Sequence, residues 1–270
     1  MSDRKIRLAL IGKDVSKSES KAIHTFIFTQ WGIDCEYECF SVDKENFDNA
    51  MRRLLGDFGG FNVTIPYKRD VMEYLDSVEG DAFDFSAVNT VCCSNRVGYN
   101  TDGVGFLMML RFSGIAVEKK RILVLGAGGS GRSTAAVLKK AGAEVFLYQR
   151  NREKLMETAS EIGVKIANDP EEGGYDILIN CTGVGMHESE GFSPVTEKAF
   201  RGASVAIDLI YTPQESEFLR LAKMQDLQIL NGEKMLFYQA YYADCLYTGK
   251  TPNEAEAAVF CQRYLQERKK

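Results

Sequence analysis

Histidine and tryptophan are scarce: the 270 residues include two histidines, His24 and His187, and one tryptophan. No His and Cys positions show the close spacing of a zinc-ligand set, so the sequence predicts no metal site. Cysteine occurs in an odd number, seven, scattered along the chain, which excludes a disulfide framework and fits a reducing compartment. Cys35 and Cys39 alternate with Glu36 and Glu38 around Tyr37 and read as one apolar face of a strand. No apolar run approaches the roughly 18 residues of a membrane helix, and the opening Met1-Ser2-Asp3-Arg4-Lys5 lacks the apolar stretch of a signal peptide. Basic charge is not in excess either. A net charge of −5 and a pI near 5.3 leave no cationic face for nucleic acid, although a local anion pocket stays open. The expectation is a cytoplasmic protein, monomer or homodimer, whose partner is a small molecule, with no nucleic acid and no membrane.

What is present is a globular composition, 45% hydrophobic and 26% charged, at a length that suits one large domain or two small ones. The run IRLALIG reads as a strand, followed by a helix over 19–31, the strand DCEYECFSV and a helix over 44–55. FNVTI and AVNTVCC supply further strands, with a helix expected to open at Pro66, where a proline costs no hydrogen bond. After Asp102 the spacing of Val104, Leu107, Met108 and Phe112 predicts a helix bridging two domains. RILVL, EVFLY, DILIN and SVAIDLI then read as buried parallel strands, with helices near 131–141, 152–162 and 215–223. That alternation is α/β and doubly wound. Helices over 233–247 and 253–268 close the chain and are of the kind that packs back onto a first domain.

Gly126-Ala127-Gly128-Gly129-Ser130-Gly131 follows the strand RILVL and opens a helical run, so both spacing and context fit G-x-G-x-x-G. The first glycine allows a tight turn, the second admits a pyrophosphate to the backbone, and the third lets helix and strand pack closely. A dinucleotide is the expected ligand. An NAD site usually places a carboxylate at the end of the next strand to hold the ribose 2′-OH. Here EVFLY ends in Gln149, Arg150, Asn151 and Arg152, with no carboxylate to repel a 2′-phosphate and guanidinium groups suited to bind one. NADP is expected, with NAD possible and solvated surface the alternative reading of the arginines.

An alcohol dehydrogenase needs a group to take the hydroxyl proton as hydride leaves. Neither histidine stands in a convincing place: His24 reads as a packed helix residue and His187 as part of a polar loop. Lys68 lies just beyond FNVTI and Asp102 at a strand-to-helix corner, although taken alone the reading as a surface lysine and a helix-capping aspartate outweighs a catalytic one. Ser18, Ser20, Thr64, Asn89, Asn100 and Gln239 supply hydroxyls and amides of the kind that orient a polyhydroxylated ligand.

These residues fall in motifs that resemble the shikimate dehydrogenase family in order along nearly the whole chain. Ser18-Glu-Ser20-Lys-Ala-Ile23-His24 is similar to its S-x-S-x-x-I-H motif, Asn62 to Lys68 to N-V-T-x-P-x-K, Ala87 to Thr90 to A-V-N-T, and Asn100 to Gly103 to N-T-D-G. Asn180 to Met186, Asp208 to Pro213 and Gly232 to Gln239 resemble its later segments. The resemblance implies two α/β domains with a cleft between them: a substrate domain of residues 1–102 plus 236–270, and a Rossmann-like NADP domain of residues 103–235. It implies that Lys68 and Asp102 form the catalytic pair and that Ser18, Ser20, Thr64, Lys68, Asn89, Asp102 and Gln239 hold shikimate. It assigns the cofactor to Gly126, Gly128, Gly129, Ser130, Gly131, Gln149, Arg150, Asn151, Thr182, Gly183, Asp208 and Tyr211, with Gly232 and Met235 flanking the nicotinamide. The implied reaction is reduction of 3-dehydroshikimate to shikimate. A paralogue using NAD or acting on quinate or another cyclic acid, and a non-catalytic metabolite sensor, are the alternatives, and serine at position 20 favours shikimate over quinate.

Overall fold

The structure, a computed structural model, describes residues 5–268; residues 1–4, part of the stretch read above for a targeting segment, lie outside them. The chain forms two compact units, Met1–Met108 with Leu236–Lys270 and Met109–Met235. Both boundaries fall within helices, α4 (Asp102–Arg111) and α8 (Glu233–Thr248). Residues 103–108 group with the first unit rather than the second, the boundary in α4 falling after Met108.

The first unit holds β1 (Ile6–Gly12), α1 (Ser20–Trp31), β2 (Cys35–Ser41), α2 (Phe47–Asp57), β3 (Gly60–Val63), β4 (Ser77–Val78), α3 (Asp81–Phe85), β5 (Thr90–Cys92) and β6 (Val97–Tyr99). The sheet order is β2-β1-β3-β5-β6-β4. β1 pairs in parallel with β2 and β3, whereas β5 runs antiparallel to both β3 and β6. β1 is apolar and buried from Leu8 onward because both of its faces are covered there. Leu8 and Leu10 pack with Phe28 and Tyr37 on one side. Ala9 and Ile11 pack with Met51, Leu54 and Phe61 on the other, as the two-residue period of a strand requires. The terminal helix α9 (Glu254–Glu267) returns to this unit, where Arg268 pairs with Glu19 at 2.8 Å and Trp31 donates to Glu256 at 2.9 Å.

The second unit holds β7 (Arg121–Leu125), α5 (Gly129–Lys140), β8 (Glu144–Tyr148), α6 (Arg152–Ile162), β9 (Lys165–Ile166), β10 (Ile177–Asn180), β11 (Val205–Asp208), α7 (Glu217–Lys223) and β12 (Gln228–Asn231). All six strands are parallel, in the order β12-β11-β10-β7-β8-β9. The order reverses between β7 and β10, which is the doubly wound dinucleotide-binding topology.

One expectation fails. No α-helix opens at Pro66: Tyr67 N–H closes a turn onto the Thr64 carbonyl at 3.0 Å, and the Lys68 carbonyl accepts from Val88 N–H at 2.8 Å. That second bond ties the segment to the strand side of the unit instead of to a helical ladder, and a 3₁₀ turn follows over Asp70–Tyr74. The short strands β4, β6, β9 and β12 were not expected. The seven cysteines are free thiols, no described helix is long and apolar enough to cross a membrane, and the described residues contain no metal-ligand cluster.

Candidate active site

Topology gathers the polar residues of the first unit at one end of its sheet. Ser18 and Ser20 follow β1, Thr64 and Lys68 follow β3, and Asn100 to Asp102 follow β6. β5 runs the opposite way, so its preceding residue, Asn89, reaches the same end; the Val63 N–H donates to the Asn89 carbonyl at 2.9 Å. This end contains the switch point between β1 and β3, where open α/β sheets bind ligands.

Lys68 Nζ and Asp102 Oδ2 meet there at 2.5 Å, with side chains 16% and 12% exposed. Residues 34 positions apart thus form one nearly buried ion pair that solvent still reaches. Asn89 Nδ2 donates to the other Asp102 oxygen at 2.8 Å and to Thr101 Oγ1 at 3.1 Å. The Asp102 N–H is capped by Asn100 Oδ1 at 3.0 Å, which starts α4 with a carboxylate in its first turn. Thr101 Oγ1 reaches Gln239 Oε1 at 3.4 Å, bringing a residue of α8 to the same cluster. Ser18 Oγ donates to Ser20 Oγ at 3.0 Å. Thr64 is half-buried at the end of β3.

The histidines lie elsewhere. His24 is fully buried, with Nδ1 2.6 Å from Asp244 Oδ1 and its ring stacked on Tyr37 at 4.4 Å. Burial pushes the Asp244 carboxyl up to about 6 against the opposing pull of His24. His187 is exposed in a short 3₁₀ turn.

In the second unit the G-x-G-x-x-G segment forms the turn from β7 into α5. Gly126 has φ +104°, which L side chains rarely adopt, and a Cβ on Gly131 would stand 1.8 Å from the Gly126 carbonyl oxygen. Gly128 and Gly129 face open space, where a Cβ would meet nothing within 4 Å. Ser130 lies in the first turn of α5, which carries no acidic residue. The segment therefore fits a pyrophosphate: open backbone at a helix N-terminus with no opposing charge.

At the end of β8, Gln149 is half-buried and Arg150 is exposed, with no ion pair to Arg150 among the described residues. Asn151 caps α6 by accepting from Lys154 N–H at 3.0 Å, and Arg152 is turned to Asn168 at 2.9 Å. Of the two guanidinium groups, Arg150 is the one left for an anion. Thr182 and Gly183 follow β10, half-buried and exposed respectively; Tyr211 follows β11 and is half-buried. Gly232 and Met235 stand at the start of α8, where the Gly232 N–H donates to the Ile210 carbonyl at 3.3 Å.

Asp208 differs from its expected place as a cofactor contact. It is fully buried and accepts from Asn180 Nδ2 at 3.1 Å, Ile210 N–H at 3.0 Å and Ser216 Oγ at 2.5 Å. Its carboxylate is enclosed by these donors and orders the loops that carry Thr182 and Tyr211. Burial raises its pKa to about 6 against those hydrogen bonds. Asn180, Ser216 and Thr101 carried no individual role in the sequence; the available signal for Asn180 was a polar residue ending an apolar strand.

The family model "Shikimate dehydrogenase substrate binding domain" matches residues 10–91. A shikimate dehydrogenase (NADP(+)) of Clostridium botulinum is 36% identical over 241 residues, 87% of this chain and 93% of that protein. The chain belongs to the shikimate dehydrogenase family. A shikimate dehydrogenase (NADP(+)) of Thermus thermophilus is 35% identical over 262 residues, spanning 96% of this chain and 99% of its own. The crystal structure of shikimate 5-dehydrogenase from Thermus thermophilus in complex with NADP(H) and shikimate matches with a TM-score of 0.88, covering 96% of this chain and 99% of that one. In this member of the shikimate dehydrogenase family, the fold joins the lysine of N-V-T-x-P-x-K, Lys68, to the aspartate of N-T-D-G, Asp102.

Proposed function

We propose that this chain is an NADP-dependent shikimate dehydrogenase that interconverts 3-dehydroshikimate and shikimate, with the first unit holding the substrate and the second the cofactor. The observation that carries this reading is the Lys68–Asp102 pair at the strand ends, with Asn89 bonded to Asp102 and Thr101 linking the cluster to Gln239; Ser18, Ser20 and Thr64 follow strands at the same end of the sheet. The relatives' NADP(+)-dependent activity and the bound NADP(H) and shikimate of the Thermus thermophilus protein support it. When bound, the nicotinamide supplies the hydride or accepts it.

In the reductive direction the Lys68 ammonium donates a proton to the carbonyl oxygen as it becomes an alkoxide, and the alcohol is the product. Asp102 holds that ammonium in place before transfer through their contact at 2.5 Å. In the oxidative direction Lys68, as the amine, takes the hydroxyl proton back, and its residual exposure lets solvent restore its charge state. Ser18 and Ser20 donate to the substrate carboxylate, and Thr64, Asn89 and Gln239 fix its ring hydroxyls. Such groups discriminate strongly, because an analogue lacking a hydroxyl leaves a buried partner unpaired. In the second unit, Gly128, Gly129 and Ser130 face the pyrophosphate and Arg150 takes the 2′-phosphate, which favours NADP over NAD. The seven free thiols support a cytoplasmic location.

The test is a spectrophotometric assay of the purified protein with shikimate or quinate and each oxidised cofactor. Reduction of NADP with shikimate at the highest kcat/KM supports the reading. Turnover of quinate without shikimate, or preference for NAD, reverses the substrate or cofactor assignment, and binding of both ligands without turnover supports a sensor.

A further inference from the structure

Behind the Lys68–Asp102 pair runs a buried series of hydrogen bonds. Tyr37 Oη donates to Asn62 Oδ1 at 2.8 Å. Asn62 Nδ2 donates to the main-chain carbonyl of Asn89 and to Thr90 Oγ1, each at 3.2 Å. Thr90 Oγ1 donates to Asn89 Oδ1 at 2.9 Å, and Asn89 Nδ2 ends the series on Asp102 Oδ1 at 2.8 Å. Tyr37, Asn62, Asn89 and Thr90 are 2%, 5%, 4% and 0% exposed, so bulk water cannot readily stand in for a lost donor.

Main-chain groups fix the direction of the series. Asn89 Oδ1 also accepts from the Thr101 N–H at 2.9 Å, so its amide nitrogen must face Asp102. Asn62 Nδ2 faces a main-chain carbonyl, so its oxygen must face the phenol. Reversing either amide would oppose donor to donor or acceptor to acceptor. The Thr90 hydroxyl, set between the two, accepts from Asn62 and gives its proton to Asn89. Thr101 Oγ1, at 3.3 Å from Asn89 Oδ1 and 3.4 Å from Thr90 Oγ1, lies at longer range. The far end is held by the His24 ring stacked on Tyr37. Burial, with the charge of Asp244, pushes the Tyr37 phenol well above its ordinary value, so it remains a donor.

We infer that Asn62 and Thr90 are positioning residues for the reaction, anchored by Tyr37: they clamp Asn89 by its main chain and side chain, and through it hold Asp102 so that Oδ2 stays aimed at Lys68. None of the three touches substrate in this account, and the inference rests on the dehydrogenase reading above. Cooperative donor series of this kind stiffen a site beyond their separate bonds, and a displacement of about 1 Å at reacting groups can cost about 10²-fold in rate.

The experiment uses the full chain carrying Thr90→Val, Thr90→Ser, Tyr37→Phe or Thr90→Val with Tyr37→Phe. It measures kcat, KM for shikimate and for NADP, and the melting temperature. Thr90→Val keeps the volume and removes the hydroxyl; it should lower kcat about tenfold, a partial displacement of the pair, with KM for NADP unchanged. Thr90→Ser keeps the hydroxyl and should retain kcat within about twofold of wild type although it loses a methyl group, and the two variants should melt within about 5 °C of each other. Tyr37→Phe should also lower kcat, and the double variant should fall little below Thr90→Val alone, because both interrupt one series. If Thr90→Ser loses as much as Thr90→Val, or neither substitution changes kcat, the inference is overturned. Should Thr90→Val fail to fold, Tyr37→Phe decides: unchanged kcat overturns the inference. A wild-type protein that never oxidises shikimate overturns the functional reading and the inference with it, an outcome visible before any substitution is made.

Discussion

Lys68→Met keeps most of the side chain's length and removes its charge, leaving Asp102 with the Asn89 donor at 2.8 Å and its own 12% exposure. If Lys68 transfers the proton, kcat should fall by about 10² to 10⁴, equivalent to about 3 to 5 kcal/mol of barrier. The fold should lose less, about 1 to 2 kcal/mol, because the carboxylate keeps a donor and some solvent, whereas breaking a fully buried pair costs about 3 to 5 kcal/mol. Asp102→Asn should reduce kcat over the same range by removing the charge that holds the ammonium. The two residues act through one bond, so the double variant should be roughly as slow as the slower single one; independent residues would multiply their losses. Steady-state rates of shikimate oxidation, with KM for NADP and a melting curve for each variant, provide the comparison. A Lys68→Met enzyme that retains more than about one tenth of wild-type kcat, or a double variant at the product of the two singles, refutes the paired mechanism.

Three further outcomes follow from the second unit. Arg150→Ala should raise KM for NADP by about 10- to 100-fold, the loss of one charged hydrogen bond, and leave KM for NAD nearly unchanged; equal effects on both cofactors would remove Arg150 from the 2′-phosphate site. Gly131→Ala drives a Cβ to 1.8 Å from the Gly126 carbonyl, so helix and strand must separate; NADP affinity measured by titration should fall at least about tenfold, and unaltered affinity would refute the role given to that turn. Asp208 titrates near 6 rather than near 3.8, so its neutral form is favoured in the fold. That contribution, about 3 kcal/mol, is fully present below about pH 4 and is lost as pH rises through 6. Stability should therefore decline across this window less steeply in Asp208→Asn than in wild type, read by denaturant unfolding at each pH, and an identical slope would reject the buried-carboxyl account.

Much of the second unit was legible because its signals are local. A strand covered on both faces must carry an uninterrupted apolar run, and ILVL, VFLY, ILI and VAI supply one each. The turn into α5 was legible for a similar reason, since Gly131 must lie against the Gly126 carbonyl. The strands of β4, β6, β9 and β12 span two to four residues, too short to show a period. Pro66 misled for a different reason: a proline at the start of a helix and one in a turn look alike along the chain. The Lys68 carbonyl's bond to Val88 comes from a residue 20 positions on.

The candidate site divides along the same line. Residue types that suit proton transfer and hydroxyl recognition could be read from the chain, and so could their places at strand ends, because a motif is a run of neighbours. The 2.5 Å approach of Lys68 to Asp102, the burial of His24 against a residue 220 positions away, and the enclosure of Asp208 by Asn180, Ile210 and Ser216 could not. Each depends on which strands become neighbours and in which direction they run. In the first unit, β5 alone opposes β1 and β3 beside it, and that reversal carries Asn89 to the end of the sheet where the pair lies. Hydrogen bonds act over about 3 Å, so only the packed sheet can bring such donors and acceptors within reach.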